Sequence, residues 1–245
     1  MFLTNSLENP STVPSGKRVK EAFITTVKDP SLWIGTAAAV TLAATRTDKS
    51  ISKWASENTL VFGSRERAEQ VSGYLRTVSI GTTTFLYSLK YMPPGGNYRA
   101  QSPLAAFQAT LLSSGFTIGT TEFLKRSLKL QRPDYSDFRS FPSGHVAISS
   151  LCNTLSINTV ESLSFPRSYR VLSSSGLTLL SAATAWARLE SGRHHPTDLI
   201  TGALLGKFFA NFFYRSFMGP YQPLDPRFDI RISPEMLQMR LSLQF

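Results

Sequence analysis

Long uncharged stretches divide this sequence. Four of them contain no Asp, Glu, Lys or Arg, and two weaker apolar stretches contain one basic residue each. None of the six has the apolar–polar alternation of a strand, and all are rich in Ala, Leu, Gly, Ser and Phe. The pattern predicts an all-α bundle of about six main helices, over residues 30–45, 74–89, 100–121, 140–160, 171–187 and 199–214.

The length of the uncharged stretches bears on membrane insertion. A helix that crosses a bilayer needs about 20 predominantly apolar residues, and only residues 100–121 and 140–160 reach that length without a charge. The abundant small residues, Ser and Thr are typical of membrane helices that pack closely, and they also occur in soluble bundles. Hydropathy therefore favours a multi-pass membrane protein and leaves a soluble or peripherally bound bundle open.

Both ends of the chain depart from the helical pattern. Residues 1–16 are polar and lack the apolar core of a signal peptide. The last residues place apolar side chains at alternate positions, which favours a short edge strand: Leu237, Met239, Leu241, Leu243 and Phe245. We expect a polar tail over 1–16, a single helical domain over 17–220, and a C-terminal tail over 221–245.

Charge and cysteine usage narrow the choice of partners. The formal net charge is +10 although only 17% of the residues are charged, which favours an anionic membrane surface or a phosphorylated substrate. The basic residues are scattered without interleaved aromatics, so we expect no nucleic-acid partner. The single cysteine, Cys152, lies in an apolar stretch, where a buried core position is expected.

All three histidines lie in two short segments that open predicted helices. Asp198 follows His194 by four residues, and a nearby carboxylate can keep one imidazole nitrogen protonated so that the other is free to act as nucleophile or base. In the other segment, FPSGH, we expect Ser143 to cap the helix that follows and Gly144 to allow close backbone approach. Helix starts of this kind attract anions. Thr197 is expected to cap the last helix.

Three cations accompany the histidines. Lys125 and Arg132 are seven residues apart, which on a continuous helix places them on one face. Arg188 precedes His194 by six residues. No cluster of carboxylates is available for a metal ion, so we expect no metal and no cofactor. Guanidinium and ammonium groups suit a tetrahedral oxyanion such as phosphate.

Three segments resemble the signature of the type 2 phosphatidic acid phosphatase and vanadium haloperoxidase superfamily. The first has the form K-x6-R-P, from Lys125 to Pro133, and the second is P-S-G-H, from Pro142 to His145. The third, usually S-R-x5-H-x3-D, occurs as A-R-x5-H-x3-D from Ala187 to Asp198. Ala187 stands where the family usually has Ser, and only eight residues separate Pro133 from Pro142, which implies a small cap over the site.

The resemblance implies a role for each matching residue. His194 resembles the nucleophile that becomes phosphohistidine, Asp198 the residue that orients it, and His145 the general acid. The implied phosphate pocket consists of Lys125, Arg132, Ser143, Gly144 and Arg188. For His195 we favour packing or rim contact over catalysis. The implied function is hydrolysis of a lipid phosphate or diphosphate by a phosphatase that needs no metal.

Helices of alternating direction would bring all three motifs to one end of the bundle. In a membrane, basic residues near the opposite end favour a site on the non-cytoplasmic side, although residues 46–67, at the same end as the site, also carry five basic residues, so the asymmetry does not decide the orientation. Three alternatives stay open: a soluble or periplasmic acid phosphatase acting on small phosphomonoesters, a vanadate-dependent haloperoxidase, and a phosphate-binding relative without turnover.

Overall fold

The computed structural model describes residues 13–91, 103–163, 165–219, 227–233 and 236–242. They form eight helices and two strands: α1 Gly16–Val27, α2 Pro30–Thr45, α3 Thr47–Asn58, α4 Arg65–Tyr91, α5 Pro103–Leu128, α6 Gly144–Glu161, α7 Arg167–Glu190, α8 Pro196–Met218, β1 Arg227–Ser233 and β2 Met236–Ser242. The six predicted helices correspond to α2 and α4–α8. The count of six omitted α1 and α3, because both carry charged residues and neither contains a long apolar run.

The two strands form an antiparallel pair in which Arg227 lies opposite Ser242. The predicted alternation at 237–245 overlaps β2, and its last residues, 243–245, lie outside the described residues. Residues 1–12 of the predicted N-terminal tail also lie outside them.

The helical bundle is built around α6, which packs against α4, α5, α7 and α8. Its interior consists largely of small and hydroxylated side chains, whereas many large apolar side chains point outwards. Leu172 and Phe123 are 72% and 67% exposed. No helix within the described ranges combines the length and the mean hydropathy that a membrane crossing requires.

Hydroxyl groups join the helices inside this core. Ser79 of α4 lies 2.7 Å from Ser149 of α6, measured between the Oγ atoms, and Ser149 also contacts Thr184 of α7 at 3.2 Å. One turn further along, Thr83 donates to the Cys152 carbonyl at 2.8 Å. A buried hydroxyl that keeps a partner avoids a desolvation penalty of about 1–3 kcal/mol. These pairs therefore set which faces of α4, α6 and α7 meet.

Two glycines allow α8 to approach the backbone of α6 directly. A Cβ atom on Gly202 would lie 2.6 Å from the Ser143 carbonyl oxygen, and one on Gly206 would lie 2.2 Å from the Ala147 carbonyl oxygen. Both distances are shorter than any real Cβ contact. The first turn of α6 and the first turns of α8, which carry the second and third motifs, are held together by this close packing.

The structure corrects three local predictions. Helix α5 ends at Leu128 and Lys129 has φ of +47°, so Arg132 lies in the following loop and does not share a helical face with Lys125. Ser143 occupies the N-cap position of α6, but its hydroxyl makes no capping hydrogen bond. The N-cap of α8 is His195, because Pro196 already adopts the first helical position and Thr197 the second.

Candidate active site

The ends of four helices meet around one cavity of about 340 Å³. Lys125 comes from the last turn of α5, His145 from the first turn of α6 and Arg188 from the last turn of α7, while His194 lies in the short loop before α8. Six of the eight predicted site residues line this cavity: Lys125, Arg132, Gly144, His145, Arg188 and His194. The other two, Ser143 and Asp198, are buried behind the wall of the cavity and do not line it.

The protonation of His194 follows from its hydrogen bond. Its Nδ1 lies 2.7 Å from the carbonyl oxygen of Ser140 and 3.6 Å from Oδ2 of Asp198. A carbonyl can only accept, so Nδ1 carries the proton and Nε2 keeps its lone pair. The predicted Asp–His pair is therefore indirect, and the nearest acceptor is a backbone group that the sequence does not single out.

Asp198 organises the surrounding backbone. Its Oδ2 accepts from the Ser140 hydroxyl at 2.5 Å and from the His195 backbone N–H at 2.8 Å. Burial alone would favour the neutral acid, but these bonds and the adjacent imidazole hold the pKa of Asp198 below its ordinary value. The carboxylate therefore connects the segment around Ser140 to the start of α8. His194 lies directly before that helix.

Both cavity histidines are uncharged at neutral pH in the free protein. Burial lowers the pKa of His194 to about 4, against the opposing effect of Asp198. Burial, followed by the positive charge of Arg188, lowers the pKa of His145 to about 3. An anion in the cavity would offset these positive charges and favour the imidazolium form of His145.

The three predicted cations are held by different partners. Arg132 donates to Asp137 at 2.7 Å, and Arg188 lies 3.8 Å from Glu69 and donates to Ser72 at 3.3 Å. The Nε of Arg188 has no partner among the described residues. Lys125 donates to the Arg139 carbonyl at 3.0 Å, and burial, followed by the charge of Arg132, lowers its pKa to about 8.

The part of the chain that the structure describes contains no group of three or more His, Cys, Asp or Glu side chains that could hold a metal ion.

Comparison with known families tests the resemblance that the three motifs predicted. Residues 132–220 match the PAP2 superfamily. The PAP2 match includes the second and third motifs entirely and begins at Arg132 of the first, so the predicted resemblance is confirmed. Lys125 lies upstream of the matched residues.

One solved structure and the curated proteins complete the comparison. The crystal structure described as the first transmembrane PAP2 type phosphatidylglycerolphosphate phosphatase from Bacillus subtilis aligns with a TM-score of 0.49 at 20% sequence identity, covering 80% of this chain and 94% of that one. No curated protein matches the sequence.

Helix α3 supports the PAP2 segment from outside its boundaries. Asp48 accepts from the Thr197 backbone N–H at 2.9 Å and from its hydroxyl at 2.5 Å, and Ser52 Oγ lies 2.8 Å from Nδ1 of His195. The helix therefore holds the residues between His194 and Asp198. The packing role expected for His195 agrees with its contact to Ser52. The sequence analysis missed this support because residues 46–67 contain no long uncharged stretch and were not predicted to form a helix.

Two further cations, Arg76 and Arg139, line the cavity. Arg76 of α4 is half-buried and lies in the cavity wall together with His145 and Arg188. The signal in the sequence was its position as the single charged residue in the apolar stretch 74–89. A guanidinium inside such a stretch costs desolvation energy unless an anion or a polar partner meets it.

Proposed function

We propose that this protein is a phosphatase that hydrolyses a lipid phosphate or diphosphate through a phosphohistidine intermediate on His194. The observation that carries the proposal is the His194 imidazole, whose Nδ1–H donates to the Ser140 carbonyl and whose Nε2 is left without a proton, in a cavity lined by five cationic side chains. Phosphoryl transfer depends mainly on positioning and on stabilisation of charge on the phosphate oxygens, and this cavity supplies both.

In the first step, the Nε2 lone pair of His194 attacks phosphorus and forms the N–P bond. The bond from phosphorus to the leaving oxygen breaks, and His145 donates a proton to that oxygen. The substrate's own negative charge keeps His145 protonated at this stage, because it offsets the charges that lower the pKa of the imidazole in the free protein. Positioned acid catalysis of this kind contributes about 10²–10⁴ in rate.

In the second step, water replaces the leaving group. Neutral His145 accepts a proton from the water as its oxygen attacks the phosphohistidine, the N–P bond breaks, and His194 regains its lone pair. Lys125, Arg132 and Arg188 hold the phosphate oxygens throughout, together with the backbone N–H of Gly144 at the start of α6. We assign Ser143 no direct contact with the phosphate, since it is fully buried and does not line the cavity.

A lipid substrate is supported by the outer surface of the bundle. Large apolar side chains are exposed on α2, α5 and α7, among them Trp33 at 61%, Phe107 at 63% and Leu179 at 68%. Exposed apolar area on this scale is typical of a surface that contacts lipid or another protein. We propose that the bundle resides in a membrane. The cavity would then lie at the end of the bundle where α5 and α7 end and α6 begins. Lys28, Lys90 and Arg167, near the opposite end, favour a non-cytoplasmic site.

Phosphate release tests the proposal. The native chain and His194→Ala are assayed in detergent and chelator on phosphatidic acid, a polyprenyl diphosphate and a soluble phosphomonoester. We expect release from the lipids by the native chain and none from the variant, with ³²P from labelled lipid retained on His194 after a rapid alkaline quench, because a phosphohistidine is stable in base and hydrolyses in acid. A His195→Ala variant controls for loss of a histidine next to the nucleophile.

The outcomes separate the alternatives. Preference for the soluble ester would replace the lipid assignment with an acid phosphatase. Turnover that survives in His194→Ala would overturn the phosphohistidine route. Absence of release from every substrate by the folded native chain would refute the phosphatase proposal.

A further inference from the structure

The cavity extends well past the residues assigned to the transferred phosphate. Thr117, Thr121 and Lys125 line it at successive turns of α5, a span of about 12 Å along the helix axis. A volume of about 340 Å³ exceeds the roughly 240 Å³ of two phosphate groups, if each of their eight oxygens is given the share of one water molecule, about 30 Å³. One phosphate held between His194 and Lys125 leaves the part beside Thr117 and Thr121 unfilled.

The polar groups in this second part have no partners. Arg76 has no hydrogen bond and no ion pair with any described residue. The hydroxyls of Thr117 and Thr121, which are 0% and 3% exposed, also lack a partner. In the same helix, Thr110 donates to the Ala106 carbonyl at 2.9 Å, so α5 can satisfy such a hydroxyl internally. Three donors without partners among the described residues therefore line the same cavity.

Arg76 lies in the same cavity wall as His145. Its positive charge is among the main causes that lower the pKa values of His145 and Arg188, and it is not among the main causes for His194. On the mechanism proposed above, His145 faces the leaving oxygen. The unpaired guanidinium is therefore on the leaving-group side of the phosphorus atom.

The one carboxylate among the lining residues does not neutralise this region. Glu122 is already paired with Arg139 at 2.5 Å, between Oε2 and a terminal guanidinium nitrogen. Arg132 and Arg188 likewise have carboxylate neighbours of their own, Asp137 and Glu69. The positive charge of Arg76 is left for a ligand.

We infer that Arg76, Thr117 and Thr121 form a second anion subsite, which binds a further phosphate carried by the leaving group of the same substrate. The inference rests on the proposed phosphatase function and specifies its substrate as a lipid with two phosphates. The second phosphate is either directly bonded to the first, as in a diphosphate, or a phosphodiester nearby in the headgroup. Guanidinium binds both by the same paired N–H donors.

The kinetic test compares Arg76→Gln and Thr121→Val with matched controls. Arg67→Gln removes an exposed charge from the same helix, and Thr120→Val alters the neighbouring threonine, which lines an apolar groove on the other side of α5. Substrates are phosphatidic acid, farnesyl diphosphate and phosphatidylglycerol phosphate. We expect Arg76→Gln to lower kcat/KM for at least one two-phosphate substrate roughly 10- to 100-fold more than for phosphatidic acid, and the affected substrate identifies the linkage. Equal losses on all three substrates, or no loss, would overturn the inference.

A binding arm separates failure of the subsite from failure of the phosphatase proposal. Methylenediphosphonate and methylphosphonate are titrated into the full chain in detergent by calorimetry, and neither analogue needs turnover. We expect the native chain to bind the diphosphonate at least roughly 10-fold more tightly, and Arg76→Gln to lose that preference. Suppose that the native chain binds the two analogues equally and hydrolyses only phosphatidic acid. That result would refute the second subsite and retain the phosphatase proposal. A preserved preference without any turnover would refute the phosphatase proposal and retain the subsite.

Discussion

The Nδ1 of His194 lies 2.7 Å from the backbone carbonyl oxygen of Ser140, a residue 54 positions earlier in the chain. Because this acceptor is a backbone group, no substitution at position 140 removes it. The side chain of the same residue donates to Asp198 at 2.5 Å. Ser140 therefore determines the tautomer of His194 with its main chain and holds the neighbouring carboxylate with its hydroxyl.

The tautomer is directly observable. We expect the ¹⁵N chemical shifts of His194 in the free protein at pH 7 to show a protonated Nδ1 and an unprotonated Nε2, since a carbonyl cannot donate a hydrogen bond. The resonance is assigned by its absence in His194→Asn. A spectrum with the proton on Nε2 would contradict the geometry and remove the basis for nucleophilic attack by that atom.

The hydroxyl of Ser140 can be removed without touching its carbonyl. Ser140→Ala leaves Asp198 with one hydrogen bond fewer, and we expect kcat to fall roughly 10-fold, the cost of one unsatisfied charge-assisted bond. KM should change little, because Ser140 does not line the cavity. Ser175→Ala, at an exposed position of α7, is the control. A loss confined to KM would show that the hydroxyl affects substrate binding and not the position of Asp198.

The close contact between α6 and α8 predicts an asymmetry between two glycines. Gly206→Ala would place a methyl group 2.2 Å from the Ala147 carbonyl oxygen, and we expect a loss of about 1–3 kcal/mol in the free energy of unfolding. Gly119→Ala has no atom within 4 Å of the new methyl group and should gain up to about 1 kcal/mol from helix propensity. Denaturant unfolding in detergent measures the unfolding free energy of both variants. Equal changes in Gly206→Ala and Gly119→Ala would argue against the close approach of α8 to α6.

Helix α3 should be required for the site, although it lies before the PAP2 segment. Asp48→Ala removes the acceptor of the Thr197 backbone N–H and hydroxyl, and we expect a loss of about 0.5–2 kcal/mol in unfolding free energy, the usual cost of a lost helix cap. Activity should fall with it, since Thr197 lies between His194 and Asp198. Glu57→Ala, in the exposed last turn of α3, should change neither. An unaffected Asp48→Ala would mean that α8 holds its first turn without α3.

The buried histidines predict how stability depends on pH. The pKa values of His145 and His194 are about 3 and about 4 in the folded protein, against an ordinary value of 6.5. Between these limits the unfolded chain binds more protons, so the unfolding free energy decreases as pH falls from 6.5 towards 4. Each histidine contributes at most about 1.4 kcal/mol per pH unit.

Urea midpoints at pH 7.5 and 4.5, in buffers without phosphate, test this dependence. The native chain should lose more stability across the interval than His145→Asn/His194→Asn, which cannot take up those protons. Phosphate added at pH 4.5 should restore part of the loss, since a bound anion favours the imidazolium forms. Identical pH dependence in both chains would contradict the lowered pKa values.

The sequence predicted the helices and the cavity residues unequally well. Six helices could be located because each contains a long uncharged stretch, whereas α1 and α3 have charges on one face and no such stretch. Asp48 and Arg76 reach the site only through tertiary packing, so no local pattern relates them to His194. The prediction that Lys125 and Arg132 share a helical face was wrong because the helix ends before Lys129. Lys129 adopts a left-handed backbone conformation, which a sequence usually signals by a glycine.

The close contact at Gly202 and Gly206 also makes the assembly of the site depend on the docking of α8 against α6. His145 lies in the first turn of α6 and His194 lies directly before α8, so the cavity between them exists only after α8 has packed against the α6 backbone. Turnover would then report helix docking, while circular dichroism would report helix content. A chain that regains its full helical signal before its activity would show that docking as a separate kinetic step.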